Sequence, residues 1–191
     1  IRADETITQA TIIDGVQITA GNADLNGIFS DQTGGGAYIF TGAPSFIDCT
    51  FHGNAAEFGG AVLVDNANPT FTDCIFENNL GEFGGAIYVY NMSSPVLERI
   101  TVTGNDAELG GGIYSTQSTP TIINSIFRGN TATLGGAAYD SNEAAPEYTN
   151  CIFQGNSAEL GGAFYCNTTS TGAVINCSIQ GNLASVEGGG V

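Results

Sequence analysis

An all-β solenoid is the fold class that this sequence predicts, and three observations lead to it. Glycine pairs recur at steps of 25 to 27 residues, beginning at Gly34, Gly59, Gly84, Gly110, Gly135, Gly161 and Gly188. The block before each pair alternates apolar and polar residues, which is the period of a strand. Glycine, proline and asparagine punctuate every unit, which disfavours helices. The sequence therefore predicts about seven stacked coils of 25–27 residues.

The second repeated block begins at a proline in five copies and carries two apolar columns. One column contains Phe51, Phe76, Val102, Phe127, Phe153 and Ile179, and the column two residues earlier contains Cys49, Cys74, Ile100, Ser125, Cys151 and Cys177. A unit of this size cannot bury its own apolar face, but a stack of units buries a continuous core. Equivalent strands then lie parallel and about 4.8 Å apart. We expect a parallel β-helix with two or three short strands in each coil.

A column of asparagines closes the same block in all six copies. Its members are Asn54, Asn79, Asn105, Asn130, Asn156 and Asn182. Asparagine tolerates the left-handed backbone conformation of a turn, and its amide can hydrogen-bond to the same amide one coil away. These six residues are predicted to form an internal structural ladder rather than a catalytic group.

The repeats set the expected boundaries of the fold. We expect a single β-helix domain over residues 1–191, with an irregular first coil and an insertion in 1–33, regular coils in 34–187 and a truncated coil in 188–191. In the first coil, Val16 and Ile18 take the places of the Cys and Phe positions. The glycine pair is expected to make a tight bend where a side chain would collide with the next coil.

The charge of the chain excludes two classes of partner. Nineteen acidic residues stand against three arginines, for a formal net charge of −16. Nucleic acids and anionic membrane surfaces are bound by Lys and Arg, so neither is expected as a partner. No apolar run reaches the roughly 18 to 20 residues of a membrane-spanning helix, so we expect no direct membrane insertion.

Two short motifs resemble those of a known family. Phe is followed by Asn three residues later at Phe51, Phe76, Phe127 and Phe153, and the GGA[ILV] motif occurs at 59–62 and 84–87. This pairing resembles the repeats of the polymorphic outer membrane proteins, autotransported surface adhesins in the right-handed parallel β-helix, pectate-lyase-like superfamily. Val102, Ile179, Ala138 and Phe164 depart from it conservatively. The resemblance implies a right-handed fold and an extracellular or cell-surface location.

The basic residues argue against an enzyme. Polysaccharide-cleaving relatives in that superfamily use paired carboxylates, or calcium with a basic residue. Here the candidates Arg2, Arg99, Arg128 and His52 are scattered, and Arg99 is expected to pair with Asp73 one coil away. The five cysteines are expected to be free thiols. We therefore predict a non-enzymatic protein without a cofactor.

Two outward columns are the candidate binding surfaces. Glu57, Glu82, Glu108 and Glu159 share one position, and Tyr38, Tyr88, Tyr114, Tyr139 and Tyr165 share another. Stacked carboxylates must face water or hold cations, so a solvated face is expected, with weak calcium binding as the alternative. Stacked phenols either pack as a ladder or present an aromatic strip to sugar rings or another protein.

Asn91 and Asn167 begin sequons in turns where a glycan could project, while Asn176 is expected to be unmodified.

The function predicted from these observations is that of an extracellular or cell-surface structural or adhesive β-solenoid. Its partner is a surface polysaccharide, a protein, or the chain itself. One alternative is a fibre subunit that stacks end to end, since the last motif is cut inside a strand and leaves an open coil; a fragment of a longer β-helix explains the same feature. The other alternative is a polysaccharide-binding or polysaccharide-degrading β-helix.

Overall fold

The computed structural model describes residues 2–3, 11–23, 32–167 and 169–190, with side chains from residue 11 onward. Over these residues the regular secondary structure consists of 27 short strands, β1 to β27, and no helix. The strands form four parallel sheets that run along the length of the molecule, and each regular coil contributes one strand to each sheet.

The four sheets are numbered in the order in which a regular coil enters them. Sheet 1 contains β1 (Arg2–Ala3), β4 (Ala37–Phe40), β8 (Val62–Asp65), β12 (Ile87–Tyr90), β16 (Ile113–Thr116), β20 (Ala138–Ser141) and β24 (Phe164–Cys166). Sheet 2 contains β2 (Ile12–Asp14), β5 (Ser45–Ile47), β9 (Thr70–Thr72), β13 (Val96–Glu98), β17 (Thr121–Ile123), β21 (Glu147–Thr149) and β25 (Ala173–Ile175). Sheet 3 contains β3 (Gln17–Thr19), β6 (Thr50–His52), β10 (Ile75–Glu77), β14 (Thr101–Thr103), β18 (Ile126–Arg128), β22 (Ile152–Gln154) and β26 (Ser178–Gln180). Sheet 4 contains β7 (Ala55–Phe58), β11 (Leu80–Phe83), β15 (Asp106–Leu109), β19 (Thr131–Leu134), β23 (Ser157–Leu160) and β27 (Leu183–Glu187).

The predicted fold class is confirmed, because the strands of successive coils pair in parallel and in register. Phe76, for example, pairs with Phe51 on one side and Val102 on the other. The expected number of strands per coil was wrong, however, since a regular coil has four strands rather than two or three. A single left-handed residue divides sheet 2 from sheet 3, for example Asp48 or Asn124, and it bends the chain where no glycine or proline marks a break.

The core of the solenoid consists of inward-pointing side chains that stack on their equivalents in the next coil. The sheet 3 rings are the clearest case, with Phe51 stacked on Phe76 at 4.8 Å between centroids and Phe127 on Phe153 at 5.0 Å. Sheet 2 contributes Phe46 and Phe71, which stack at 4.9 Å. Stacking of this kind adds ring contacts to the burial of apolar area.

The glycine pair bends the chain between sheet 4 and sheet 1, as the sequence predicts. Gly84 has a φ of +72°, and a Cβ there would lie 2.3 Å from the Ile87 carbonyl oxygen. A Cβ on Gly85 would lie 2.3 Å from the carbonyl oxygen of Gly111, which belongs to the next coil. The first glycine is therefore required by the turn, and the second by the close approach of stacked backbones.

The irregular first coil joins the stack with Ile18 paired to Phe51. Most of the predicted insertion, residues 24–31, lies outside the described residues, as does Val191. The strands of the last described coil, β25 to β27, have largely exposed side chains.

Candidate functional site

The six asparagines of the repeated block lie in one column inside the solenoid. Each of the first five donates from its side-chain Nδ2 to the Oδ1 of the asparagine in the next coil, at distances of 2.9 to 3.1 Å. The backbone N–H of the same residue donates to that oxygen at 2.9 to 3.0 Å. The second Nδ2 hydrogen is donated to a carbonyl oxygen of the preceding coil. The side chains in the middle of the column thus have every donor and acceptor paired, which is what burial requires.

The ladder begins one coil before its first asparagine. Gly21 occupies the ladder position of the irregular coil, and its backbone N–H donates to Asn54 Oδ1 at 2.9 Å. Asn22 is displaced by one residue and pairs instead with Ala55. The column is a structural spine that is closed to a ligand, since Asn54 to Asn156 are all buried.

The five tyrosines of the second column lie on sheet 1 and form a ring ladder. Tyr88 stacks on Tyr114 at 4.9 Å and Tyr114 on Tyr139 at 4.9 Å, with interplanar angles of 13° and 15°. Tyr165 follows at 5.4 Å with a tilt of 53°. Tyr38 is separated from Tyr88 by Leu63. The faces of the central rings are occupied by their neighbours, so these rings turn their edges outward.

Sheet 4 covers much of the same tyrosine ladder. Phe58 and Phe83 stack on each other at 5.1 Å, and Phe83 lies 6.0 Å from the Tyr114 ring. Tyr114 and Tyr139 are only 7% and 8% exposed. Burial also raises the pKa of the Tyr88 hydroxyl. The central tyrosines therefore pack as a ladder and offer little surface to a ligand.

Aromatic surface is exposed near the start of sheet 1 instead. Phe40 and Tyr90 are 38% and 37% exposed, and they follow the tyrosine column by two residues. The ring of Tyr90 stacks on Tyr88 at 5.9 Å, and Phe40 lies 6.1 Å from Tyr38. Asp65 lies between these pairs and accepts a hydrogen bond from the Tyr38 hydroxyl at 3.2 Å. Phe40 and Tyr90 were not among the candidate residues, although each lies two residues after a member of the tyrosine column, Tyr38 and Tyr88.

The glutamate column lies on the outer face of sheet 4. Glu82 and Glu108 are exposed, and the pKa of Glu82 is raised by slight burial first, then by Glu57 and Glu108 on either side. Among the described residues, no group of three or more His, Cys, Asp or Glu side chains is arranged to hold a metal ion. A weak calcium site at Glu57, Glu82, Glu108 and Glu159 remains an untested prediction.

The described basic side chains lie away from both columns. Arg99 forms a two-point ion pair with Asp73, with Nε and Nη2 each 2.8 Å from a carboxylate oxygen, and also contacts Glu98. This is the pair predicted from the sequence. The hydrogen-bonded Arg99 guanidinium lowers the pKa of Asp73. His52 Nδ1 lies 3.3 Å from Glu77 on the exposed face of sheet 3. Each of these pairs holds neighbouring coils together at the surface.

Both sequon asparagines directly follow a strand of sheet 1. Asn91 donates from Nδ2 to Asp65 at 3.0 Å, and the hydroxyl of Ser93 is buried against the Tyr90 carbonyl. Asn167 is partly exposed, and the next residue lies outside the described part. Glycosylation at Asn91 and Asn167 stays a prediction, and Asn91 would have to give up its bond to Asp65.

All five cysteines are free. Cys49 and Cys74 are buried in the core, and the buried Cys151 donates its backbone N–H to the Sγ of the partly buried Cys177 at 3.3 Å. Burial raises the pKa of Cys74 and of Cys151 to about 12. These thiols behave as small apolar groups and are poor nucleophiles.

A buried carboxylic acid is the feature that sequence reasoning missed. Asp140 is 2% exposed and points into the core from sheet 1, in a column that holds Ile39, Val64 and Val89 in earlier coils. Burial raises its pKa from 3.8 to about 7, an effect that the hydroxyls of Ser115 and Tyr148 partly oppose. The signal was present in the sequence, because Asp140 lies two residues after the inward Ala138 on a strand.

These features together define a parallel β-solenoid protein with an internal asparagine ladder. The chain matches the family described as the right handed beta helix region over residues 12–184, and it belongs to that family. No curated protein and no solved structure matches it.

Proposed function

We propose that this chain is a non-enzymatic structural and adhesive β-solenoid of the extracellular space or the cell surface. The observation that carries the proposal is the spine of asparagine bonds, which ties every described regular coil to the next. A spine of this kind makes a stiff rod with side walls of repeated residues, which suits a scaffold for multiple weak contacts.

The aromatic surface at the start of sheet 1 is the proposed contact patch. Phe40 and Tyr90 lie on the outer face there, with Asp65 between them in the intervening coil. Rigid aromatic side chains supply contact area at low entropic cost, and Tyr adds a polar group for hydrogen bonds. The net charge of −16 repels acidic polymers at low salt. A neutral surface polysaccharide is therefore the proposed ligand class.

Co-sedimentation of the chain with insoluble neutral, acidic and amino-sugar polysaccharides tests the proposal. We expect retention on a neutral polysaccharide, and at least a fivefold lower bound fraction for the variant F40S/Y90S. The matched control is I75S/I152S, which removes two side chains of similar exposure, 39% and 36%, from sheet 3. Equal retention of both variants, or equal loss in both, would place the contact elsewhere.

The same mixtures distinguish binding from catalysis. After incubation, reducing ends and unsaturated products are measured, and we expect neither to rise above the level without protein. Turnover that scales with protein concentration would show a polysaccharide-degrading β-helix instead. Light scattering of the unmixed chain measures whether it self-associates, which is the behaviour expected of a fibre subunit.

A further inference from the structure

The core of the solenoid changes character in the coil that contains β20 and β21. In three earlier coils, the second inward position of sheet 1 holds Ile39, Val64 or Val89, and the inward position of sheet 2 holds an apolar side chain such as Phe71. The later coil replaces both with polar groups, Asp140 on sheet 1 and Tyr148 on sheet 2. Two polar residues introduced together at facing positions indicate a pair rather than an isolated exception.

Contacts within this cluster join two sheets. The Tyr148 hydroxyl donates to Asp140 Oδ1 at 3.5 Å, a long hydrogen bond across the core. Phe127, Phe153 and Phe164 surround the Tyr148 ring edge to face, with centroids 5.2 to 6.3 Å away. Along sheet 1, Asp140 pairs with Ser115 in the coil before and Cys166 in the coil after. Ser115 Oγ is buried and lacks a hydrogen bond of normal geometry, so the cluster is incompletely paired.

No positive charge balances Asp140 among the described residues. The ion pairs there involve Arg99 and His52, which lie on the outside of the solenoid. An ionised carboxylate in an apolar core without a cation is strongly unfavourable, whereas the neutral acid can remain there with one donor and one acceptor partner.

We propose that Asp140 and Tyr148 form a proton-operated lock that holds the C-terminal coils closed while Asp140 is protonated. When Asp140 loses its proton, the carboxylate must gain water, and the strands around it, β20, β21 and β24, have to separate to admit it. The opening is confined to the coils around the acid, because the earlier coils hold the apolar side chains Ile39, Val64 and Val89 in the same column.

The pH window follows from the shift in the pKa of Asp140, from 3.8 to about 7. Between these values the closed coil holds a proton that the open coil releases. The free energy that favours the closed coil is therefore largest below about pH 4, falls as the pH rises, and is smallest above about pH 7. The titratable groups that face Asp140 are Tyr148 and Cys166, whose pKa values are also raised, that of Cys166 to about 11, so both stay neutral in this window.

Hydrogen exchange of the whole chain, measured by mass spectrometry from pH 5 to 8.5 and corrected for intrinsic rates, tests the lock. We expect peptides from residues 138–190 to lose protection as the pH rises, by at most about tenfold per pH unit for a single proton. Peptides from residues 45–105 serve as the internal reference and should change little. A wild-type chain whose two regions respond equally to pH would overturn the proposal.

Four variants make the test specific. Asp140→Asn keeps the shape without the proton, and Asp140→Val restores the apolar column, so both should abolish the pH dependence. Glu159→Gln removes an exposed carboxylate from a nearby strand and should behave as the wild type does. Tyr148→Phe removes a donor that favours the ionised acid, so the midpoint should move to higher pH. Persistence of the wild-type response in both Asp140 variants would contradict the assignment.

Discussion

Each buried asparagine in the middle of the ladder makes four side-chain hydrogen bonds, and Asn105 illustrates them. Its Nδ2 donates to Phe76 O and Asn130 Oδ1, and its Oδ1 accepts from the backbone and side-chain nitrogens of Asn79. The nearby Glu108 is exposed on the outer face of sheet 4. The two residues are three positions apart and have opposite environments, so they form a matched pair for measuring what the ladder contributes.

Asn105→Ala is predicted to lower the free energy of unfolding by about 1 to 3 kcal/mol, because it leaves both nitrogen donors of Asn79 without their acceptor and removes one of the two donors to Asn130 Oδ1. Glu108→Ala should change it by no more than about 0.5 kcal/mol, as is usual for exposed side chains. Denaturant melts of the two variants measure both values. Equal losses would mean that the ladder is not the spine of the fold.

Residues that repeat from coil to coil could be assigned a role from the sequence, whereas residues that occur once could not. The asparagine and phenylalanine columns could be located because every coil repeats the same physical requirement at the same position. Asp140 could not be located in this way, since its column holds a carboxylate in one described coil only and its burial depends on Tyr148 from another sheet. The exposed residues Phe40 and Tyr90 were not predicted for a related reason, because Asp65 interrupts their row on sheet 1.

At the scale of the element, the turns decide where each sheet ends. The bend between sheets 2 and 3 is made by a left-handed residue at Asp48, Asp73, Arg99, Asn124, Asn150 and Asn176. Asp and Asn tolerate this conformation, but Arg99 has no such preference, and its ion pair with Asp73 helps to hold it there. The residue at this bend varies between Asp, Asn and Arg, which is why two or three strands per coil were expected where the structure has four.

The glycine pair at the bend between sheets 4 and 1 gives a second prediction. Two glycine-to-alanine substitutions distinguish the cost of close backbone packing from the cost of backbone strain. Gly85→Ala places a Cβ 2.3 Å from the Gly111 carbonyl oxygen and 2.7 Å from that of Asp106, and backbone atoms cannot yield cheaply. We expect a loss of more than about 4 kcal/mol, or failure to fold. Gly129→Ala is the control, because its φ is +60° but nothing lies within 4 Å.

The control should cost only about 1 to 2 kcal/mol, the strain of a left-handed alanine. Thermal and denaturant melts measure the loss of stability in both glycine variants. A Gly85→Ala protein as stable as the Gly129→Ala protein would show that neighbouring coils are farther apart at this corner than described.

At the scale of the whole molecule, residues at equivalent positions of successive coils form rows along the solenoid. A row of glutamates on sheet 4 repels itself at the spacing of a parallel sheet, and the outer rows of the other sheets carry few compensating cations. The proposed location, ligand and self-association of the chain concern surfaces whose residues do not repeat in every coil. Those properties could be proposed from the sequence but not located by periodicity.

The effect of calcium removal on stability is the prediction that concerns the glutamate row. We expect a chelator to leave the melting temperature unchanged, because Glu82, Glu108 and Glu159 are exposed to water. Differential scanning fluorimetry with and without added calcium measures this. A stabilisation that titrates with calcium, and disappears in the variant E82Q/E108Q, would instead assign a cation site to the glutamate column.

The most direct test of the stacked-coil account is hydrogen exchange at the asparagine side chains, read by NMR from their Nδ2 hydrogens. We expect slow exchange for the buried amides of Asn54, Asn79, Asn105, Asn130 and Asn156, since each bonds to the coils on both sides. The exposed Asn66 and Asn124 should exchange at the rate of free amides. Fast exchange at the five buried amides would contradict the internal ladder, and with it the stacking of the coils.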